Sequence, residues 1–263
     1  MNETIFMIHG MWGKPHVWDA YKGFFEKRGY RCVRPTLRYH DIEPGEAPDP
    51  RLGTTSLLDY AHDLEKEIQS LDERPIVMGH SMGGLLAQIL AARGLASAAV
   101  LVTPAPPAGI LMVHKPSVIR TFWKMQVQWG FWRKPVRLGF EESVYSTLHL
   151  LPAKKQRETY DALVWESGRA VWEIGYWFLD GKGAARVDET NVTCPMLVLG
   201  GGKDRMVPPS VVRRVAHKYE HVATYKEYPR HAHWIIEEPG WESVAADVVA
   251  WLEGVSAGGP DES

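Results

Sequence analysis

A serine between two glycines is the residue of this chain best suited to nucleophilic chemistry. The segment Gly79-His80-Ser81-Met82-Gly83-Gly84 follows a short apolar run that predicts a strand and precedes a strongly apolar helical stretch. In such a turn the Gly-x-Ser-x-Gly pattern holds the serine in a strained conformation with its Oγ projecting above the sheet. The helix N-terminus beneath it stabilises developing negative charge. The alternative is a glycine-rich turn with an incidental serine, which the position between strand and helix disfavours.

A serine nucleophile needs a base that takes its proton and a carboxylate that orients the base. At the carboxyl edge of such a sheet the order along the chain is serine, acid, histidine. Asp204 follows three glycines and Lys203 just past a predicted strand, and so reaches the same edge as Ser81. Asp188 and Glu189 precede that strand and are expected at its opposite end. We therefore predict Asp204 as the acid, the alternative being a solvated loop aspartate.

The base must come from the four histidines after the predicted acid. His217 and His221 belong to a predicted helix or its exit and are expected on the surface. His231 and His233 follow the last predicted strand, at the carboxyl edge. The spacing alone leaves either of them as the candidate base. A metal site is not indicated, because no set of histidines and carboxylates with ligand spacing accompanies them.

An acyl-transfer site also needs hydrogen-bond donors for the oxyanion that forms during attack. The backbone N–H of Met82, the residue after the serine, is one donor by position. We predict the second donor in the loop His9-Gly10-Met11-Trp12-Gly13, which follows the first predicted strand, with the Met11 N–H in that role. A plain glycine-rich turn is the alternative for this loop.

Short apolar runs alternate with helical patterns along most of the chain. Such alternation predicts an α/β fold, with a mostly parallel sheet of about six strands and helices on both faces. The predicted strands are Thr4–Ile8, Tyr30–Pro35, Pro75–Gly79, Ala98–Thr103, Met196–Gly200 and Ala223–Tyr228. The predicted helices are Asp19–Arg28, Thr54–Leu71, Leu85–Ala92, Pro209–Tyr219 and Trp241–Leu252.

A compositionally distinct segment interrupts this alternation. We divide the chain into a first core part (1–107), a helical cap or lid (108–190), a second core part (191–255) and a disordered tail (256–263). The segment 108–190 holds six of the 11 tryptophans. An insertion at this point of the chain is expected to cover the carboxyl edge of the sheet, where ligands bind in open α/β folds.

Substrate contacts are predicted from the loops beside the serine and from the aromatic residues of the cap. The residues so assigned are Trp12, His80, Trp123, Trp129 and Trp177. The alternative for the cap aromatics is that they form the core of the cap itself, as large aromatics at helical spacing usually do.

The stretch Ile119–Leu138 combines Trp, Lys and Arg residues with no Asp or Glu. Helices rich in Lys, Arg and Trp can dock on anionic membrane surfaces, so membrane contact is one interpretation. We favour the other, in which a pair of cap helices presents a basic face to solvent.

Composition bounds the remaining function classes. The 263 residues include 30 Lys and Arg against 32 Asp and Glu, so a basic excess typical of nucleic-acid binding is missing. Cys32 and Cys194 are too few for a disulfide framework and too separated for a Cys-x-x-Cys pair. The N-terminal sequence lacks the features of a signal peptide, and no apolar run approaches the length of a membrane span. We expect a reduced, cytoplasmic setting.

Taken together, these residues resemble the α/β-hydrolase superfamily over nearly the whole chain. The resemblance rests on the Gly-His-Ser-Met-Gly-Gly string at Ser81 and on His233-Trp234 followed by Glu238-Pro239. It implies Ser81 as nucleophile, Asp204 as acid and His233, rather than His231, as base. Haloalkane dehalogenases and epoxide hydrolases of the superfamily carry Asp where this chain has Ser81, so those reactions are not expected.

The resemblance leaves several serine-dependent activities. The leading hypothesis is a carboxylesterase that cleaves hydrophobic esters of short to medium acyl chain through an acyl-enzyme, without metal or organic cofactor. The alternatives are a lysophospholipase or monoacylglycerol lipase, a carbon–carbon bond hydrolase or lactonase, and a small-molecule receptor on a hydrolase scaffold. The expected partner is a small-molecule ester, and the expected state is a monomer or a homodimer.

Overall fold

A computed structural model describes residues 3–257 and contains a six-stranded parallel sheet. The strand order β2-β1-β3-β4-β7-β8 places the first strand beside the third, and every neighbouring pair is parallel. This confirms the α/β fold class and the number of strands. The sheet strands are β1 (Thr4–Ile8), β2 (Arg31–Val33), β3 (Ile76–His80), β4 (Ala98–Val102), β7 (Met196–Gly201) and β8 (Ala223–Tyr228), and an antiparallel pair, β5 (Pro135–Val136) and β6 (Glu166–Ser167), lies between them in sequence.

The helices of the described residues alternate with these strands. They are α1 (Asp19–Glu26), α2 (Leu57–Gln69), α3 (Met82–Ala92), α4 (Pro116–Gln126), α5 (Phe140–Ser143, continued by a π-helical turn at Val144–Leu148), α6 (Ala153–Asp161), α7 (Gly168–Gly175), α8 (Pro209–Lys218) and α9 (Trp241–Ala257). Short 3₁₀ helices lie at Pro15–Trp18, Pro50–Thr54, Phe131–Arg133, Trp177–Leu179 and Glu189–Asn191.

Two helices begin at a different residue than predicted, because capping and packing outweigh helix propensity. The helix predicted to begin at Thr54 begins at Leu57, where Ser56 forms a capping box with Asp59. The helix predicted to begin at Leu85 begins at Met82, so it contains two glycines that propensity disfavours. Those glycines are needed because neighbouring backbone and proline atoms approach them closely.

The closing helix is longer than predicted. It continues through Ala257, so the first two residues of the predicted disordered tail, Ser256 and Ala257, are helical. Alanine favours a helix, and Gly258, Gly259 and Pro260 follow it in the sequence. The rest of the predicted tail, 258–263, lies outside the described residues.

The central strands of the sheet lie in one continuous apolar core. All five residues of β1, β3 and β4 are buried, as expected of parallel strands covered on both faces. Helix α3 packs on β3 and β4, and α8 packs on β7 and β8. Across residues 3–257 we find no helix that combines the length and apolar character needed to cross a bilayer.

Candidate active site

Ser81 lies at the turn between β3 and α3, and its backbone has an unusual conformation. Its φ of 54° and ψ of −118° are outside the regions that a serine normally occupies. The Ser81 N–H donates to Val102 O, and Ala105 N–H donates to Ser81 O, so the end of β4 holds the turn from both sides. A Cβ at Gly79 would lie 2.0 Å from Gly83 O. The glycines therefore let the turn close.

The three predicted triad residues meet at the carboxyl edge of the sheet. His233 Nε2 lies 2.9 Å from Ser81 Oγ, and His233 Nδ1 lies 2.8 Å from Asp204 Oδ2. The other carboxylate oxygen of Asp204 accepts hydrogen bonds from the N–H groups of Met206 and Val207, each at 2.8 Å. All three residues of the chain Asp204–His233–Ser81 are buried. The arrangement can pass a proton from the serine to a fixed imidazole.

The loop after β1 packs directly against this turn. A Cβ at Gly10 would lie 3.0 Å from Ser81 Cβ, so the backbone of the loop touches the serine. Met11 lines both chambers that open at Ser81, and its N–H forms no hydrogen bond to any of residues 3–257. Met82 opens α3, and the first N–H groups of a helix have no intrahelical acceptor. Two amide donors are therefore placed beside the serine.

The His80 side chain contacts the backbone carbonyl of His233. Its Nε2 lies 2.9 Å from His233 O, and the Thr103 hydroxyl donates to the same oxygen at 3.1 Å. Its other ring nitrogen, Nδ1, is buried without a protein partner within the described residues. His80 lines the smaller chamber at Ser81, as a predicted substrate contact would, but one ring nitrogen is occupied in positioning His233.

Two chambers open on either side of Ser81. The larger, of about 530 Å³, lies under the segment between β4 and β7 and is lined almost entirely by apolar atoms. The smaller, of about 340 Å³, is lined by His233, Trp12, Trp234 and residues of α5 and its π-helical turn. Ser81, Met11 and Met206 border both chambers. The serine is thus placed to receive a substrate with one group on each side.

The predicted aromatic contacts are only partly brought to these chambers. Trp12 lines the smaller one and its ring N–H donates to Val136 O. Within the described residues, Trp123, Trp129 and Trp177 do not line either chamber. Trp123 and Trp129 are 50% and 86% exposed, and Trp177 lines a separate surface groove.

Most residues that line the larger chamber come from the segment 108–190. They are Met112, Val113, Val118, Phe122, Met125, Gln126, Phe131, Val171, Ile174, Gly175 and Tyr176. In α4 the buried positions Val118, Phe122 and Met125 recur at helical spacing. Trp123 follows Phe122 by one residue, about 100° around the helix, so it faces away from the chamber. That periodicity groups the lining residues on one face of α4, but Ile119, Trp123 and Val127 recur in the same way on another face.

The remaining candidates lie apart from the serine. His231 pairs with the buried carboxylate of Glu238 at 3.2 Å, on the other side of its loop from His233. His217 and His221 are exposed, as predicted. Asp188 is exposed and accepts a hydrogen bond from Thr190 N–H before β7 begins. Among residues 3–257, no cluster of three or more His, Cys, Asp or Glu side chains is arranged to hold a metal ion.

A second buried polar cluster, absent from the sequence-based prediction, joins the first loop to the cap. His9 Nδ1 lies 2.9 Å from Gly10 O, and the His9 ring lies 5.2 Å from that of His40. His40 Nε2 lies 3.2 Å from a carboxylate oxygen of Glu166, and the Tyr60 hydroxyl donates to the other oxygen at 2.8 Å. These side chains are fully buried. The cluster therefore ties the loop beside Ser81 to the segment that covers it.

The buried histidines make stability depend on pH. Burial, with a contribution from His40, lowers the pKa of His9 to about 3. Burial, with a contribution from His233, lowers the pKa of His80 to about 3. Both therefore stay neutral in the folded protein at mildly acidic pH, whereas each takes up a proton in the unfolded chain near pH 6.5.

We expect the free energy of unfolding to fall between pH 6.5 and about pH 5 by about 2 kcal/mol for each of His9 and His80, since each pH unit below the unfolded pKa costs about 1.4 kcal/mol. Urea unfolding at several pH values measures the slope. His80→Gln is expected to remove about half of it, whereas the exposed control His62→Gln keeps it. A stability that is flat across this range would contradict the prediction.

His40 does not contribute to that slope. Burial opposes its protonation, but the charge and hydrogen bond of Glu166 outweigh burial and raise the pKa of His40. Its stabilising contribution is complete below the unfolded value of 6.5 and is lost as pH rises through the raised folded value. The pH range in which His40 changes the free energy of unfolding therefore lies above the range in which His9 and His80 change it.

The chain is similar to known proteins over nearly its whole length. A family model described as "Alpha/beta hydrolase family" matches residues 5–247, which confirms the resemblance inferred from the sequence.

Three solved structures are similar to this chain in fold. A monoacylglycerol lipase from Paleococcus ferrophilus is 23% identical with a TM-score of 0.68, covering 96% of this chain and 94% of that chain. Polyneuridine aldehyde esterase is 13% identical with a TM-score of 0.69, covering 96% and 100%. A pyrethroid hydrolase from Sphingobium faniae is 17% identical with a TM-score of 0.70, covering 96% and 98%. At these identities the likeness is one of fold.

Proposed function

Because the chain belongs to the alpha/beta hydrolase family, we propose that it is a serine hydrolase that cleaves hydrophobic carboxylic esters of short to medium acyl chain. The observation that carries the proposal is the hydrogen-bonded chain Asp204–His233–Ser81, which ends in an apolar chamber. The fold similarity to an esterase, a lipase and a pyrethroid hydrolase supports the same class of reaction.

The proposed reaction has two steps. Ser81 Oγ attacks the ester carbonyl while His233 Nε2 accepts its proton, and Asp204 stabilises the imidazolium through Nδ1–H. The N–H groups of Met11 and Met82 hold the oxyanion. The tetrahedral intermediate collapses to an acyl-enzyme as His233 protonates the departing alkoxide. Water then attacks the acyl-enzyme with His233 as base, and the acid and Ser81 are released. Apart from the attacking water, these steps use side chains and amides of the protein.

The two chambers suggest how the ester lies. His233, which must protonate the leaving alcohol, borders the smaller chamber, so we assign the alcohol to that side. The acyl group then occupies the larger chamber, whose walls are Phe122, Met125, Ile174 and other apolar side chains. Burial of apolar area there contributes about 25 cal/mol per Å² to binding, which favours hydrophobic acids over polar ones.

Initial rates on p-nitrophenyl esters from acetate to palmitate test the proposal. We expect kcat above about one per second, rates that rise with acyl length and then fall once the chain exceeds the larger chamber. An optimum at the longest chains would favour the monoacylglycerol lipase or lysophospholipase alternative. Turnover far below that value on every ester would contradict ester hydrolysis and favour carbon–carbon bond hydrolysis or a receptor role.

A further inference from the structure

The outer surface of the cap carries an apolar patch. Seven large apolar side chains are exposed among the described residues, and all except Leu58 lie in the segment 108–190. We call these six the cap patch: Ile119, Trp123, Val127, Trp129, Phe178 and Leu179. Trp129 is 86% exposed and Val127 is 69% exposed. Grouped exposed apolar side chains on one face mark a site of interaction rather than ordinary surface.

Helix α4 is apolar on two faces, which lie about 100° apart around the helix. Ile119, Trp123 and Val127 are spaced by four residues and form an outer stripe. Val118 and Phe122, each one residue earlier, are buried and face the larger chamber. A helix that only covered the chamber would need the inner stripe alone, with polar residues outside. The outer stripe is therefore unexplained by folding of the cap.

The cap patch adjoins the chamber at Ser81. A surface groove of about 930 Å³ is lined by Val127, Trp129 and Leu179 of the patch, together with Trp132 and Trp172. The groove and the larger chamber share three lining residues, Gln126, Phe131 and Tyr176. An apolar molecule in the groove is thus separated from the chamber only by these side chains.

The charge around the patch is mainly basic, although Lys124 of α4 is paired with Glu142. The segment from Ala105 to Phe140 contains six Lys and Arg residues and no Asp or Glu. Arg133 and Lys134, beside the groove, are exposed and form no ion pair with any of residues 3–257. A second copy of the chain would bring the same basic residues face to face across a two-fold interface, which is unfavourable. Anionic lipid headgroups have the complementary charge.

We propose that the cap patch docks on an anionic lipid surface, and that apolar esters pass from that surface through the groove to Ser81. The docking rests on the patch and its charge; the passage of esters rests on the proposed function. Exposed Trp side chains suit the headgroup region, where an apolar ring and a polar N–H are both accommodated. The basic residues attract the headgroups while the outer stripe enters the acyl boundary.

Co-sedimentation with vesicles tests the docking without using catalysis. The probes are vesicles of phosphatidylcholine alone and of equal parts phosphatidylcholine and phosphatidylglycerol, with Ser81→Ala protein so that lipid is not consumed. We expect binding to the anionic vesicles. Arg133→Gln with Lys134→Gln should weaken it about twentyfold, since each basic residue near an anionic surface contributes roughly a fivefold factor.

The apolar contribution is tested by Val127→Asp with Leu179→Asp, which places carboxylates on the patch. We expect at least about tenfold weaker partitioning, because charged side chains oppose both the apolar boundary and the anionic headgroups. Leu58→Asp is the matched control, since Leu58 is exposed on α2, outside the patch. It should bind as the parent does. Thermal unfolding of each variant verifies that it is folded.

Three outcomes would overturn the proposal: no binding to either vesicle, unchanged binding in the double-aspartate variant, or self-association that this variant abolishes. The last would identify a second copy as the occupant of the patch. The proposed function has its own test, because wild-type turnover of p-nitrophenyl acetate in the absence of lipid does not depend on docking. Vesicle binding without such turnover would leave the docking standing and refute the esterase.

Discussion

Ser81→Ala is expected to lower kcat/KM for p-nitrophenyl esters at least about 10³-fold. The variant keeps His233 and both amide donors, but it removes the oxygen that forms the acyl-enzyme. The rate that remains would come from binding and from the oxyanion donors acting on water. Initial rates over the ester series, at known concentrations of folded wild-type and variant protein, measure the loss.

The control for this variant is Ser97→Ala, an exposed serine just before β4, at the other end of the sheet. It should change the rate by less than twofold, because surface substitutions away from special features alter stability by no more than about 0.5 kcal/mol. Unchanged thermal unfolding in Ser81→Ala would show that the loss is chemical. A variant that kept the wild-type rate would refute the acyl-enzyme mechanism.

The sequence was sufficient for the positions of the three candidate catalytic residues because they depend on topology. Each one follows the carboxyl end of a predicted strand, and parallel strands bring those ends to a single edge. The strand after which each residue comes was predicted within one or two residues of the structure. Once β3, β7 and β8 are taken as strands of one parallel sheet, the loops that carry Ser81, Asp204 and His233 share one edge.

The cap was predicted less well because its orientation depends on what it covers. Periodicity shows that α4 has apolar positions, but both Phe122 and Trp123 are large and aromatic. Which of the two faces inward is decided by packing against α5 and its π-helical turn, which local sequence does not contain. Of the cap residues predicted as substrate contacts, Trp123 and Trp129 are exposed and Trp177 is half-buried, whereas Phe122, which lines the larger chamber, was not among them.

The buried polar cluster could not be predicted for a related reason. Glu166 meets its partners His40 and Tyr60 across more than 100 residues of chain. A glutamate in the cap is more often solvated than buried, so nothing in its neighbourhood predicts full burial. Only the folded arrangement shows that His40 and Tyr60 together satisfy its carboxylate.

Asp204→Asn is expected to lower kcat by about 10³- to 10⁴-fold although it changes one atom. The N–H groups of Met206 and Val207 both donate to Asp204 Oδ1. An asparagine must place its carbonyl oxygen there, which turns its NH₂ group toward His233 Nδ1. Nδ1 must then accept a hydrogen bond, so the imidazole proton moves to Nε2. An Nε2 that already carries a proton cannot take one from Ser81.

Asp188→Asn is the matched control, since it makes the same change at an exposed carboxylate before β7 and should leave kcat unaltered. The double variant Ser81→Ala with Asp204→Asn separates a role through His233 from an independent one. Residues that act as one unit are strongly non-additive, so the double variant should be no slower than Ser81→Ala alone. Additive losses would mean that Asp204 acts on the reaction by a route other than orienting the base, because the serine whose proton His233 accepts is already gone.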